Sequence, residues 1–164
     1  MKLLLETTIK SKTEMNNFGI QLAKIFSLSD LITFNGDLGV GKTFICKSII
    51  NNLTKINEVV SPTFNIVQTY PLQEDEEIWH CDFYRINNFE EIVEIGVFEE
   101  LKKKIILLEW PKFKLELSQF DPLNLNIEII KNNQNNLSEY RKISLSGSKK
   151  WDNKISNLHN SLLL

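Results

Sequence analysis

The chain has 164 residues, a formal net charge of −2 and a sequence pI near 5.8, with 42% apolar and 24% charged residues. That balance suits one core that folds without metals or disulfides, and it excludes a protein that grips nucleic acid over its whole surface, which would be basic. Cys46 and Cys81 have neither metal-ligand nor disulfide spacing, and no apolar run is long enough to cross a bilayer, so we expect a cytoplasmic protein without membrane contact, folded as a single domain over 1–164.

Leu3 to Thr8 predicts a first short strand. Ser11 precedes Glu14 by three residues, as in a helix capping box, and Met15, Phe18, Leu22, Ile25 and Phe26 recur at three- and four-residue steps. An amphipathic helix on the core is expected there, with Asp30 closing the connection to a strand over Leu31–Asn35. That strand feeds Gly36-Asp37-Leu38-Gly39-Val40-Gly41-Lys42-Thr43, which fits G-x-x-x-x-G-K-[ST] in a strand–loop–helix setting. Glycines let the backbone N–H groups of Asp37, Leu38, Gly39, Val40 and Gly41 converge on phosphate oxygens, and the helix start adds its positive end. Lys42 is expected to reach the β- and γ-phosphates and Thr43 to set its hydroxyl on Mg²⁺, which makes a site for a nucleoside triphosphate. The helix that follows carries Ile45, Ile49 and Leu53, with Cys46 as a small packed side chain.

Ser61-Pro62-Thr63-Phe64 begins as a turn, because proline pulls Ser61 out of helical geometry, and continues as a strand over Asn65–Tyr70. A solvated loop, Pro71–Glu77, precedes a strand over Ile78–Tyr84. Its alternation puts Trp79, Cys81 and Phe83 on one face and His80 and Asp82 on the other, which reads either as a wet face or as a functional one. Asn88 and Glu91 form a second capping box for a short helix ending near Gly96, with a further helical turn over Val97–Leu101. Lys104 to Leu108 leads to Glu109 through a continuous apolar run, as a strand covered on both faces requires. Glu109 therefore stands at a strand's carboxyl end, where ligands bind in open α/β sheets, and is a candidate for metal or water chemistry. Asn124–Ile130 and Tyr140–Ser146 alternate around a polar link and predict an antiparallel hairpin. Trp151, Ile155, Leu158 and Leu162 predict a helical appendage over about 150–164, docked on its own domain or on another protein, and His159 receives no role. The fold class expected is α/β: a P-loop NTPase-like, three-layer fold with a mostly parallel sheet and a C-terminal antiparallel hairpin.

In order and spacing, G-D-L-G-V-G-K-T at 36–43, S-P-T-F at 61–64, H-C-D-F-Y-R at 80–85 and L-E-W at 108–110 resemble the bacterial TsaE (YjeE/YdiB) family. That family is the ATPase component of tRNA threonylcarbamoyladenosine synthesis. The resemblance implies a small ATPase that binds and slowly hydrolyses ATP with Mg²⁺ and acts on a complex of TsaB and TsaD. It would reach adenosine 37 of tRNA only through that complex, with no independent nucleic-acid binding. The resemblance further implies Lys42 and Thr43 on phosphate and Mg²⁺, Glu109 as the acid at the metal, Asp82 as the aspartate needed for hydrolysis, Ser61 and Thr63 in a switch-like loop, and Trp110 beside the site.

Taken alone, the residues leave Asp82 and Glu109 free to divide metal and water either way. Two positions depart from the family pattern: Val40 stands where alanine is commoner and Phe44 where a second threonine is. We expect little effect from Val40, whose N–H stays available beside the phosphates, and packing of Phe44 under the loop. Two other readings use the same loop. A small-molecule kinase is disfavoured because only Arg85 and Arg141 could furnish a lid, and a nucleotide-gated binding module without turnover stands as the non-enzyme reading. No N-K-x-D segment is present to read guanine.

Overall fold

The apolar run that ends at Glu109 forms an interior strand of a seven-stranded sheet, buried along its whole length. The computed structural model describes residues 1–56, 58–131 and 139–156. Its strands are β1 (Lys2–Ile9), β2 (Leu31–Asn35), β3 (Val67–Pro71), β4 (Glu77–Asp82), β5 (Lys104–Glu109), β6 (Leu123–Lys131) and β7 (Glu139–Gly147), adjoining in the order β1-β7-β6-β2-β5-β4-β3. Pairing is parallel from β6 through β2 and β5 to β4 and antiparallel for β1–β7, β6–β7 and β3–β4. The sheet is thus mixed: parallel at its centre, where helices make the crossovers, and antiparallel towards both edges.

The helices are α1 (Lys12–Ala23), α2 (Lys42–Thr54), α3 (Phe89–Ile95), α4 (Lys114–Leu117) and α5 (Lys149–Ser156). Strand alternation sorts them into layers. Ile105 and Leu107 of β5 join Ile32 and Phe34 of β2 in a cluster with Phe18, Leu22, Ile45, Ile49 and Trp151, from α1, α2 and α5. Ile106, Leu108, Leu31 and Cys81 point the other way, onto Ile92, Val97 and Leu117. At roughly 25 cal/mol per Å² of apolar area, these two clusters are the main stabilising term of the fold.

Local signals set most boundaries. Ser11 caps α1 by accepting from Glu14 N at 3.1 Å, and Glu14 Oε2 accepts in return from Lys10 N at 2.8 Å. Asn88 and Glu91 form the reciprocal box of α3, which stops at Gly96 with φ 73°. Four expected boundaries move. Strand β3 begins at Val67 rather than Asn65, because the turn after Pro62 runs on to Ile66, which adopts φ 65°. Helix α1 ends at Ala23, so Ile25 and Phe26 pack from beyond it, Phe26 edge-on to Trp151 at 6.3 Å. The segment 96–100 is a turn followed by a 3₁₀ turn at Leu101–Lys103, because Glu100 adopts φ 46° and interrupts helical geometry. Strand β4 stops at Asp82 because its Oδ1 accepts from Tyr84 N at 2.9 Å and turns the chain away.

The described part of the C-terminal helix docks on its own protein. Trp151 is fully buried and donates from Nε1 to Asp121 O at 2.8 Å. Buried Asp30 accepts ion pairs from Lys150 at 2.8 Å and Lys154 at 2.5 Å. Leu158, His159 and Leu162 lie outside the described residues. No helix among the described residues is long and apolar enough to cross a membrane.

Candidate functional site

The phosphate-binding pattern lies where β2 passes into α2, at the carboxyl edge of the parallel strands. Gly36, Gly39 and Gly41 adopt φ of 131°, 79° and 113°, which side-chain-bearing residues rarely do. Gly36 is fixed by sterics as well, since a Cβ there would sit 2.3 Å from Ile127 O of β6. Gly41 is the N-cap of α2 and brings no side chain to cap it, so the first-turn amides face the loop cavity with an anion-binding geometry.

Lys42 is buried, and its Nζ donates to Gly36 O at 2.7 Å and Asp37 O at 2.8 Å, 3.7 Å from the centroid of the Trp110 ring. Burial lowers its pKa from 10.5, against the pull of Glu109, Asp82 and Asp37. Trp110 turns into the site on a left-handed backbone, φ 57°, with its N–H on Phe34 O at 3.2 Å.

Parallel register sets Asp82 and Glu109 side by side at the ends of β4 and β5. Their contacts differ. Glu109 Oε2 accepts from Thr43 Oγ1 at 2.9 Å, while Oε1 meets His80 Nε2 at 2.8 Å inside the core. The other ring nitrogen of His80, Nδ1, is buried without a partner among the described residues. Asp82 instead accepts from Thr63 Oγ1 at 3.0 Å, and Ser61 Oγ lies 3.0 Å from Thr63 Oγ1. The turn carrying those hydroxyls ends at Ile66, whose φ of 65° is strained for a β-branched residue. His80 and Asp82 of β4 are both buried, and the wet-face reading of that strand does not hold.

A cavity of about 440 Å³ opens over Lys42, Thr43, Thr63, Asp82, Arg85, Glu109 and Leu38. A second, also about 440 Å³, lies on the other side of the loop against Ser11, Met15, Phe44 and Arg141. The two share Gly39 and Gly41. Phe44 departs from expectation: it is 37% exposed and lines the second cavity, because its place in the first turn of α2 points it towards α1 rather than beneath the loop. Val40 also differs, with its side chain in the core instead of beside the phosphate cavity and its carbonyl accepting from Arg141 Nε at 3.3 Å.

His80 and Arg141 join the site without having been assigned a role there by sequence. His80 carried a hint, an imidazole two residues from a carboxylate, whereas Arg141 carried only the scarcity of arginine. Cys46 Sγ lies with His80 and Glu109 in a buried cluster whose ligand atoms are within 4.8 Å of one another. Burial raises the pKa of Cys46, and a protonated thiol is a poor partner for a hard cation. The Thr43 hydroxyl and Glu109 carboxylate, by contrast, present converging oxygens of the kind that fits Mg²⁺.

Comparison with known proteins identifies relatives of the chain in sequence and in fold. The family profile described as "Threonylcarbamoyl adenosine biosynthesis protein TsaE" matches residues 9–143. A protein of Rickettsia prowazekii named tRNA threonylcarbamoyladenosine biosynthesis protein TsaE is 38% identical over 77% of this chain and 88% of its own. The Aquifex aeolicus protein of the same name is 31% identical over 87% of this chain and 100% of its own. The crystal structure of Bacillus subtilis YdiB superposes with a TM-score of 0.71 at 19% identity, covering 98% of this chain and 97% of that one.

Proposed function

The chain belongs to the TsaE family of tRNA threonylcarbamoyladenosine biosynthesis, and from that premise we propose that it binds and slowly hydrolyses ATP with Mg²⁺ to support or reset a TsaB–TsaD complex. On this reading it is a single cytoplasmic ATPase domain with α5 as a docked appendage, and it meets tRNA only through that complex.

The observation that carries the reading is the separation of the two acids. Glu109 holds the Thr43 hydroxyl, and Asp82 holds the Ser61–Thr63 turn. The loop amides from Asp37 to Gly41 and the start of α2 bind the phosphates. The cavity beside Arg141 and Met15 takes the nucleoside, so that ATP straddles Gly39 and Gly41. Lys42 exchanges its two loop carbonyls for phosphate oxygens, and Trp110 bounds the site next to it. Thr43 and Glu109, with Asp82, would hold Mg²⁺, which would supply charge neutralisation during phosphoryl transfer. Asp82 orients the attacking water and takes its proton, while Thr63, bonded to Asp82, and Ser61, bonded to Thr63, follow the γ-phosphate.

The test is phosphate release by the protein alone and with TsaB and TsaD, with phosphorylation of small acceptors followed in parallel. Asp82→Ala is expected to keep ATP affinity within about threefold and to lose turnover by about 100-fold or more. Glu109→Ala should lose the Mg²⁺ dependence of binding as well as turnover, and Lys42→Ala should lose both affinity and rate. Unaltered hydrolysis by Asp82→Ala and Glu109→Ala would overturn the assignment.

A further inference from the structure

The phosphate cavity contains an arginine with no role in the scheme above. Of the two arginines in the chain, Arg141 pairs with Glu139 at 3.7 Å, whereas among the described residues the Arg85 guanidinium rests only on the Phe64 ring, 5.2 Å from its centroid. Phe64 is itself 80% exposed, so this contact holds the side chain weakly. The backbone beneath it is held firmly. Lys112 Nζ donates to the carbonyls on either side of Arg85, to Tyr84 O and, at 3.0 Å, to Ile86 O. Tyr84 N is on Asp82 Oδ1 at 2.9 Å and Ile86 N on Phe83 O at 3.2 Å. A fixed backbone with a loosely held cationic side chain, in the same cavity as Asp82 and Lys42, is an arginine placed to move a short way onto a phosphate.

Charge gives it something to do. Asp82 and Glu109 both stand in this cavity, and the γ-phosphate brings more negative charge. Lys42 answers the ground state. As the water oxygen bonds to the γ-phosphorus, the bond from that phosphorus to the β–γ bridging oxygen breaks. The bridging oxygen keeps the electron pair and leaves as ADP, and the water's proton passes to Asp82 and on to solvent. The charge that builds on the γ- and bridging oxygens calls for a planar, multidentate donor. We propose that Arg85 is a catalytic residue supplied in cis, leaving the Phe64 ring to bind the transferring phosphoryl group in the transition state. The proposal rests on the ATP hydrolysis proposed above.

The test compares the wild type with Arg85→Ala, Arg85→Lys and Phe64→Ala. Affinity for ADP is measured with Mg²⁺, with and without aluminium fluoride, beside hydrolysis in the presence and absence of TsaB and TsaD. The wild type should hold ADP more tightly with aluminium fluoride. Arg85→Ala should keep ADP affinity within about threefold, lose that tightening, and lose about 1,000-fold in turnover, the lower range of an arginine finger. Arg85→Lys should recover little of either, and Phe64→Ala should retain both. Turnover of Arg85→Ala within threefold of wild type would overturn the proposal. So would a loss of ADP affinity equal to its loss of turnover, or a Phe64→Ala protein that behaves like Arg85→Ala, since each would mark a structural role. If the wild type tightens with aluminium fluoride yet releases no phosphate under any condition, the hydrolysis reading fails while loss of tightening in Arg85→Ala still supports the phosphate contact. A wild type that shows neither property overturns both.

Discussion

His80 acts through another side chain. Its Nε2 orients Glu109 from inside the core, and partners of that kind are worth about 10- to 100-fold in metal affinity. His80→Phe is expected to raise the Mg²⁺ concentration that half-saturates hydrolysis by about 10-fold while leaving ATP binding in excess EDTA unchanged; equal changes in both titrations would refute the role. Lys104 makes a different statement about burial. It opens β5 at 7% exposure, with Nζ 3.6 Å from the Trp79 ring centroid, and burial lowers its pKa from 10.5 against the pull of Glu77, Glu100 and Glu99. Between that lowered value and 10.5 the unfolded chain binds more protons than the folded one, so stability rises with pH across the window. Lys104→Met keeps the apolar stem on Trp79 and removes the buried charge. Its melting temperature should exceed that of the wild type near neutral pH, and the difference should fade as pH approaches 10.5; melts across that range decide it.

Among the elements, the phosphate loop shows which glycines are required and by what. Gly36→Ala would drive a Cβ against a backbone oxygen at φ 131°, whereas Gly39 has φ 79° but open space around it. Gly36→Ala should therefore lose several kcal/mol of stability together with nucleotide binding, and Gly39→Ala only about 1–2 kcal/mol; a denaturant titration that ranks them the other way would contradict the steric account. This loop was legible in the sequence because its requirements are local: glycines, a strand before and a helix after. The capping boxes at Ser11 and Asn88 were legible for the same reason. The C-terminal hairpin was found too, but the end of β4 was not, because it depends on Asp82 folding back onto Tyr84 N, a choice that alternation does not encode. Nor did the pattern reveal that Phe44 lines a cavity, since a helical position says which residues share a face and not what that face meets.

Across the whole molecule, the candidate site is a product of topology. Glu109 and Asp82 are 27 positions apart and become neighbours only because β4 and β5 run parallel in one register. The resemblance to a family carried their pairing into the sequence reading; residue chemistry alone left their tasks exchangeable. The part of the site that stayed hidden, Arg141 and the cavity it borders, comes from the antiparallel end of the sheet, which bears none of the motifs. That end is coupled to the phosphate loop at two points: Ile127 O presses on Gly36, and Arg141 Nε reaches Val40 O. A ligand that settles the loop must therefore also quiet the hairpin, because the loop cannot tighten without seating these contacts. Amide hydrogen exchange in β6 and β7 is expected to slow when ATP is added, and to stay unchanged in Lys42→Ala. Two strands that carry no recognisable motif would then report, proton by proton, whether the nucleotide is in place.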